Sequence, residues 1–213
     1  MSLKFTAACR ECPRLATFLD QVRLGNPDYY AKPVLPFGDE NPKLLIIGLA
    51  PGMHGANKTG RPFTGDFAGI LLYETLHRFG FSSKAVSVEA QDGLKLTGCR
   101  ITNAVKCLPP QNKPETEEIK QCNKYLKEEI KVLDKGAAML ALGTIAHKSV
   151  LIALGLKEKN YPFSHGAQHL LPNGLMLCDS YHCSRYNTQT KRLTPEMFYS
   201  VFSCITSYLN DKS

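Results

Sequence analysis

Lys43-Leu44-Leu45-Ile46-Ile47-Gly48-Leu49-Ala50 runs straight into Pro51-Gly52-Met53-His54-Gly55-Ala56-Asn57-Lys58-Thr59-Gly60-Arg61-Pro62-Phe63-Thr64-Gly65-Asp66. The first half is a short apolar run without alternation, the mark of a strand covered on both faces. The second half carries four glycines after Pro51 and then enters a helical pattern over 66–79. Three more runs read as buried strands: 100–106 (RITNAVK), 137–142 (AAMLAL) and 174–180 (GLMLCDS). Helical patterns lie at 9–22, 115–135, 144–153 and 194–209, the last with Thr194 as N-cap and Pro195 at the first helical position. Strands alternating with helices predict an α/β sandwich around a mainly parallel four-stranded sheet. Pro172-Asn173-Gly174 is a turn signal, so 168–171 is expected to add a short antiparallel strand. We read the whole chain, 1–213, as one domain.

At 213 residues, 43% hydrophobic and 21% charged, the composition is that of an ordinary globular protein and excludes a disordered chain. No apolar run approaches the roughly 20 residues of a membrane span, and the start lacks a secretory apolar stretch. The chain is therefore expected in the cytoplasm, away from membranes, as a monomer. A net charge of +7 favours a polyanionic partner. Trp is absent, so any aromatic stacking must come from Phe or Tyr. Eight cysteines in a reducing compartment argue against structural disulfides. Cys9 and Cys12 form a Cys-x-x-Cys pair, and Cys107 and Cys122 flank a loop and a helix start.

Parallel strands place ligand sites at their C-terminal ends, and three of the four strands run into unusual sequences there: 48–52, 106–110 and 181–187. The glycine-rich loop lets backbone approach a ligand closely, but it is neither a P-loop nor a Gly-x-Gly-x-x-Gly turn. Phe63 is either a core residue beside Pro62 or an aromatic platform. Asn103, inside an apolar strand, must satisfy its amide on backbone or on a ligand edge. Asp66 stands at a helix start, where an aspartate often only caps.

The run 48–66 resembles a motif of the uracil-DNA glycosylase superfamily, in the branch that carries an iron–sulfur cluster. Thr-Gly-Arg-Pro-Phe (59–63) is shared with family 4. Gly-Leu-Ala-Pro-Gly (48–52), His-Gly-Ala-Asn (54–57) and Phe-Thr-Gly-Asp (63–66) are similar to family 5, the type-B enzymes. Ile-Thr-Asn-Ala-Val-Lys-Cys (101–107) resembles a second shared motif, and His-Cys-Ser-Arg-Tyr-Asn (182–187) a C-terminal His-Pro-Ser-x-x-Asn motif. The chain departs from these patterns at Leu49, an acidic position in family 4, and at Cys183, usually proline.

The resemblance implies a three-layer α/β/α sandwich and a monofunctional glycosylase acting on DNA that contains uracil or other deaminated bases. It implies that Ala50, Gly52, Phe63 and Asn103 bind the flipped base, and that His182 donates to its O2 as charge grows there. Asp66 would stabilise the sugar cation or orient water, with Asn57 as the alternative water holder. Ser184, Arg185 and Asn187 would grip phosphates. Cys9, Cys12, Cys107 and Cys122 match the ligands of a 4Fe–4S cluster, with zinc as the alternative. Two rival readings remain: a strictly uracil-specific family-4-like enzyme, and a catalytically weak nucleic-acid-binding module of the same fold.

Overall fold

The computed structural model describes residues 5–212. Its sheet holds β1 (Phe37–Gly38), β2 (Leu44–Gly48), β3 (Cys99–Asn103), β4 (Ala138–Leu142), β5 (Gln168–Leu170) and β6 (Met176–Ser180), in the order β1-β3-β2-β4-β6-β5. The four inner strands are parallel, as expected. Both edges are antiparallel: β5 lies against β6, near the expected 168–171, and β1 against β3. The sheet therefore has six strands rather than four. β1 was not expected, because two residues carry no periodicity.

Side-chain alternation divides β2 between two cores. Leu44 and Ile46 face one side, with Ile101, Leu140 and the helices α3 (Phe67–Arg78) and α7 (Pro195–Asn210). Leu45 and Ile47 face the other, with Met139, Leu177 and the helices α4 (Thr116–Lys131) and α5 (Thr144–Leu154). This is the α/β/α sandwich the sequence predicts. Leu72, Leu76, Phe198 and Phe202 are completely buried, and each such side chain contributes about 1.5–3 kcal/mol. Thr194 caps α7 by accepting from Met197 N at 3.2 Å, with Pro195 at the first position as anticipated.

Other boundaries move. The first helix, α1 (Pro13–Gly25), begins at a proline that needs no N–H partner, so Cys9 and Cys12 precede it instead of lying within it. α4 stops at Lys131, four residues short of the expected 135. Two short helices interrupt segments read as loops: α2 (Ala56–Thr59) and α6 (Arg185–Gln189). Leu15, Leu19 and Val22 of α1 pack on Val105, Leu108 and Tyr125. Arg14 clamps α1 to α4 through two 2.8 Å bonds to Glu118. Among the described residues no helix is long and apolar enough to cross a membrane.

Candidate active site

A cleft of about 430 Å³ opens at the C-terminal ends of β2, β3 and β6. That volume lies in the usual range of small-molecule sites. It brings together Ala50, Gly52, Phe63, Asp66, Asn103, His182, Ser184 and Arg185 from three separate motifs. Leu49 also lines it and contributes only an alkyl wall.

Phe63 has φ of +54°, a left-handed backbone that a bulky residue adopts only when its surroundings impose it. Two glycines make room for it here. A Cβ at Gly69 would stand 1.8 Å from the Phe63 carbonyl, and one at Gly48 2.7 Å from the Phe63 ring. The same Cβ at Gly48 would meet Asn103 Oδ1 at 2.4 Å. Gly48 thus allows the Phe63 ring and the Asn103 amide to meet at the cleft. Asn103 is buried, and its Oδ1 has no hydrogen-bond partner. A buried acceptor left unpaired is costly, and a ligand donor would satisfy it.

Asp66 caps α3, accepting from Gly69 N at 2.8 Å through Oδ1. Its Oδ2 turns toward Gly52 and Gly55; a Cβ at Gly55 would stand 2.5 Å from it. Burial raises the carboxyl above its ordinary range, and the N–H groups of Gly69 and Ala68 partly offset that. Asp66 is thus both a helix cap and a cleft residue. His182 stacks with Phe63 at 5.9 Å between ring centres and 28° between planes. Burial lowers its pKa to about 4, so the imidazole is neutral at pH 7 and offers one N–H donor.

The remaining expected residues divide. Ser184 and Arg185 stand at the cleft, Arg185 exposed and seated over the Phe67 ring at 5.2 Å. Asn187 does not line the cleft; its Nδ2 donates to the His182 carbonyl at 2.8 Å. Asn57 is fully buried in α2, does not line the cleft, and neither atom of its amide has a partner. Sequence reasoning missed Ala56, Phe67, Ala68 and Asn112 as cleft residues. Asn112 sits beside Gln111, both with φ of +55°, and no periodicity foretells such a turn.

Away from the cleft, Cys9, Cys12, Cys107 and Cys122 line one narrow recess of about 10 Å³ with Phe5, Leu15 and Tyr125. Burial, and then the neighbouring Cys122, push the Cys12 thiol up to about 11; burial also raises Cys107 and Cys122. Lys106 N donates to Cys122 Sγ at 3.4 Å, and the Tyr125 hydroxyl stands 3.7 Å from Cys9 Sγ. Among the described residues no three His, Cys, Asp or Glu side chains are arranged to hold a metal ion as they stand. The donor chemistry fits a thiolate-bound cation: four thiols share one recess, and charge on Cys122, Cys9 or Cys12 opposes ionisation of Cys107.

The chain belongs to the uracil DNA glycosylase superfamily, whose family model matches residues 35–203. It is 48% identical to a type-5 uracil-DNA glycosylase of Thermus thermophilus, over 91% of this chain and 90% of that one. It is 39% identical to a type-5 uracil-DNA glycosylase of Pyrobaculum aerophilum, over 91% of this chain and 85% of that one. A type-4 uracil-DNA glycosylase of the same organism is 38% identical, but over only 61% of this chain and 59% of its own.

Proposed function

We propose that the chain is a monofunctional DNA glycosylase of the type-5 kind, acting in base excision repair on uracil and other deaminated bases. The observation that carries this reading is the unpaired Asn103 Oδ1, which shares one cleft with the Phe63 ring and a neutral His182. A flipped base would stack on Phe63 and pair an edge with Asn103. As the N-glycosidic bond breaks, charge grows on the departing base and on the sugar. The neutral His182 would donate to the base, and the Asp66 carboxylate would face the sugar cation or the attacking water. Asn187 would hold the His182 backbone in place for that contact. Asn57 would hold water only if its buried amide reaches the cleft through a change in α2. Ser184 and Arg185, which line the cleft, would grip phosphates flanking the flipped nucleotide. Among the described residues lining the cleft there is no lysine, which favours hydrolysis over lyase chemistry. Identity to type-5 enzymes over about nine-tenths of the chain, against 61% of it for a type-4 enzyme, favours the type-5 reading over a family-4-like one.

Cys9, Cys12, Cys107 and Cys122 would hold a 4Fe–4S cluster, the alternative being zinc. When bound, the group would supply a structural tie between the segment before α1, the loop after β3, and α4. The whole chain, 1–213, is read as one domain, active as a monomer in the cytoplasm, where thiols stay reduced.

Duplexes carrying a single uracil, hypoxanthine or xanthine test the activity. Alkali-labile abasic sites should form at uracil and at hypoxanthine, with no strand break before alkali. Tight DNA binding without abasic sites would instead leave a binding module of the same fold. Iron, zinc and acid-labile sulfide assays on the purified protein decide the metal.

A further inference from the structure

Lys106 follows the end of β3 by three residues and is only 1% exposed. An ammonium is withdrawn from water only where partners replace its hydration. Here Nζ donates to the Asn103 carbonyl at 2.8 Å and to Thr102 Oγ1, and pairs with Glu129 of α4 at 2.9 Å. The same turn is pinned by its backbone. Ala104 N and Val105 N donate to the carbonyls of Gly48 and Leu49 at 2.9 and 3.0 Å, and the Lys106 carbonyl accepts from Val34 N at 2.7 Å.

Asn103 Oδ1 has no hydrogen bond of its own within the protein. The direction of the Asn103 amide is therefore inherited from the backbone that carries it and from its fit against Gly48. Two backbone bonds fix the chain after Asn103; the buried ammonium fixes the Asn103 carbonyl itself.

We propose that Lys106 is a positioning residue for base recognition: its buried ammonium, neutralised by Glu129, anchors the Asn103 carbonyl and so aims the Asn103 amide into the cleft. This rests on the glycosylase reading and deepens it. Lys106 touches no substrate. It acts through Asn103, and its removal should matter only while Asn103 is there to be aimed.

A double-mutant cycle isolates that dependence. Lys106→Met alone would strand the Glu129 carboxylate, so the pair is replaced together as Lys106→Met/Glu129→Leu. Lys106→Gln, shorter but still a donor, is the milder second variant should the pair replacement not fold. Each is made in the wild-type and Asn103→Ala backgrounds. Single-turnover excision from a uracil duplex is measured beside affinity for a duplex that already carries an abasic site. The abasic duplex has no base for Asn103 to read. The pair replacement should slow excision about tenfold when Asn103 is present and less than about twofold when it is alanine. Lys106→Gln should show the same dependence with a smaller slowing. Abasic-site affinity should stay within about twofold throughout, which a general loss of structure would not allow. Equal slowing in both backgrounds, or no slowing at all, overturns the proposal. If the wild-type chain forms no abasic sites, the glycosylase reading falls first; if it does and the cycle is additive, only the role of Lys106 falls.

Discussion

The cleft and the cysteine recess draw on neighbouring residues at the end of β3, Asn103 lining one and Val105 and Cys107 the other, yet they are organised by different means. In the cleft, backbone does the arranging. Phe63 is held left-handed, Gly48 and Gly69 make room for it, and Gly55 seats Asp66. The groups line one opening, and Asn103 Oδ1 has no partner within the protein. In the recess, four thiols share apolar walls, and burial holds three of them in the neutral form. A reaction centre must be preorganised, because reorganisation at the moment of bond breaking adds to the barrier. A structural metal site can be completed by the ion itself, whose binding free energy then becomes folding free energy.

If that contrast holds, Cys107→Ser should act on folding. Loss of one ligand is expected to cost at least about 3 kcal/mol and to lower Tm by about 10 °C, read by thermal melts with and without metal. Excision per folded molecule below the transition should change little. A variant that melts like the wild type and keeps its metal would put the ligand set elsewhere.

Next come His182→Ala and Asp66→Asn, each expected to slow single-turnover excision by about 100-fold while DNA affinity changes far less. Their pH behaviour gives a second reading. Burial keeps His182 neutral down to about pH 4, so it does not limit the rate near neutrality. Burial raises the Asp66 pKa, so its carboxylate is lost on acidification at a higher pH than an ordinary aspartate's. Excision should therefore fall as pH drops through that range, and Asp66→Asn should flatten the fall. If Asp66→Asn excises normally while Asn57→Ala is dead, the water belongs to Asn57 and Asp66 is a cap alone.

A smaller effect should follow from Gly55→Ala. Its methyl would stand 2.5 Å from Asp66 Oδ2, displacing the carboxylate without removing it. We expect roughly a tenfold slowing with a near-normal melt. Unchanged kinetics would mean that the cradle is less rigid than the contrast requires. Smallest is Arg185→Ala, which should weaken damaged and undamaged duplexes alike and reduce the salt slope by about one contact. A loss confined to damaged DNA would make Arg185 a reader of the lesion.

The four inner strands were legible because each is a short apolar run between punctuating residues. α7 was legible because Thr194 and Pro195 announce it. β1 was not, since a two-residue pairing depends on where β3 offers its edge. α2 and α6 were hidden by small and polar residues that fit a loop as well as a helix turn. Phe63, Asn103, Asp66 and His182 could be named from their motifs, and the structure brings all four to one cleft. That Asn187 bonds the His182 carbonyl, or that Asn112 lines the opening, depends on loop geometry that residue types do not encode.

The strand order also has a consequence for synthesis. Of the parallel strands β2 is made first; β3 then joins on one side and β4 on the other, and β6 extends the sheet beyond β4. A nascent chain can therefore assemble this sheet outward from its middle as it leaves the ribosome, without parting strands already joined. His182 comes just after β6 and arrives late. A chain released before His182 would lack not only the imidazole but also α7, whose Phe198 and Phe202 belong to the same core as Phe63, so the cleft is completed only when the last helix docks.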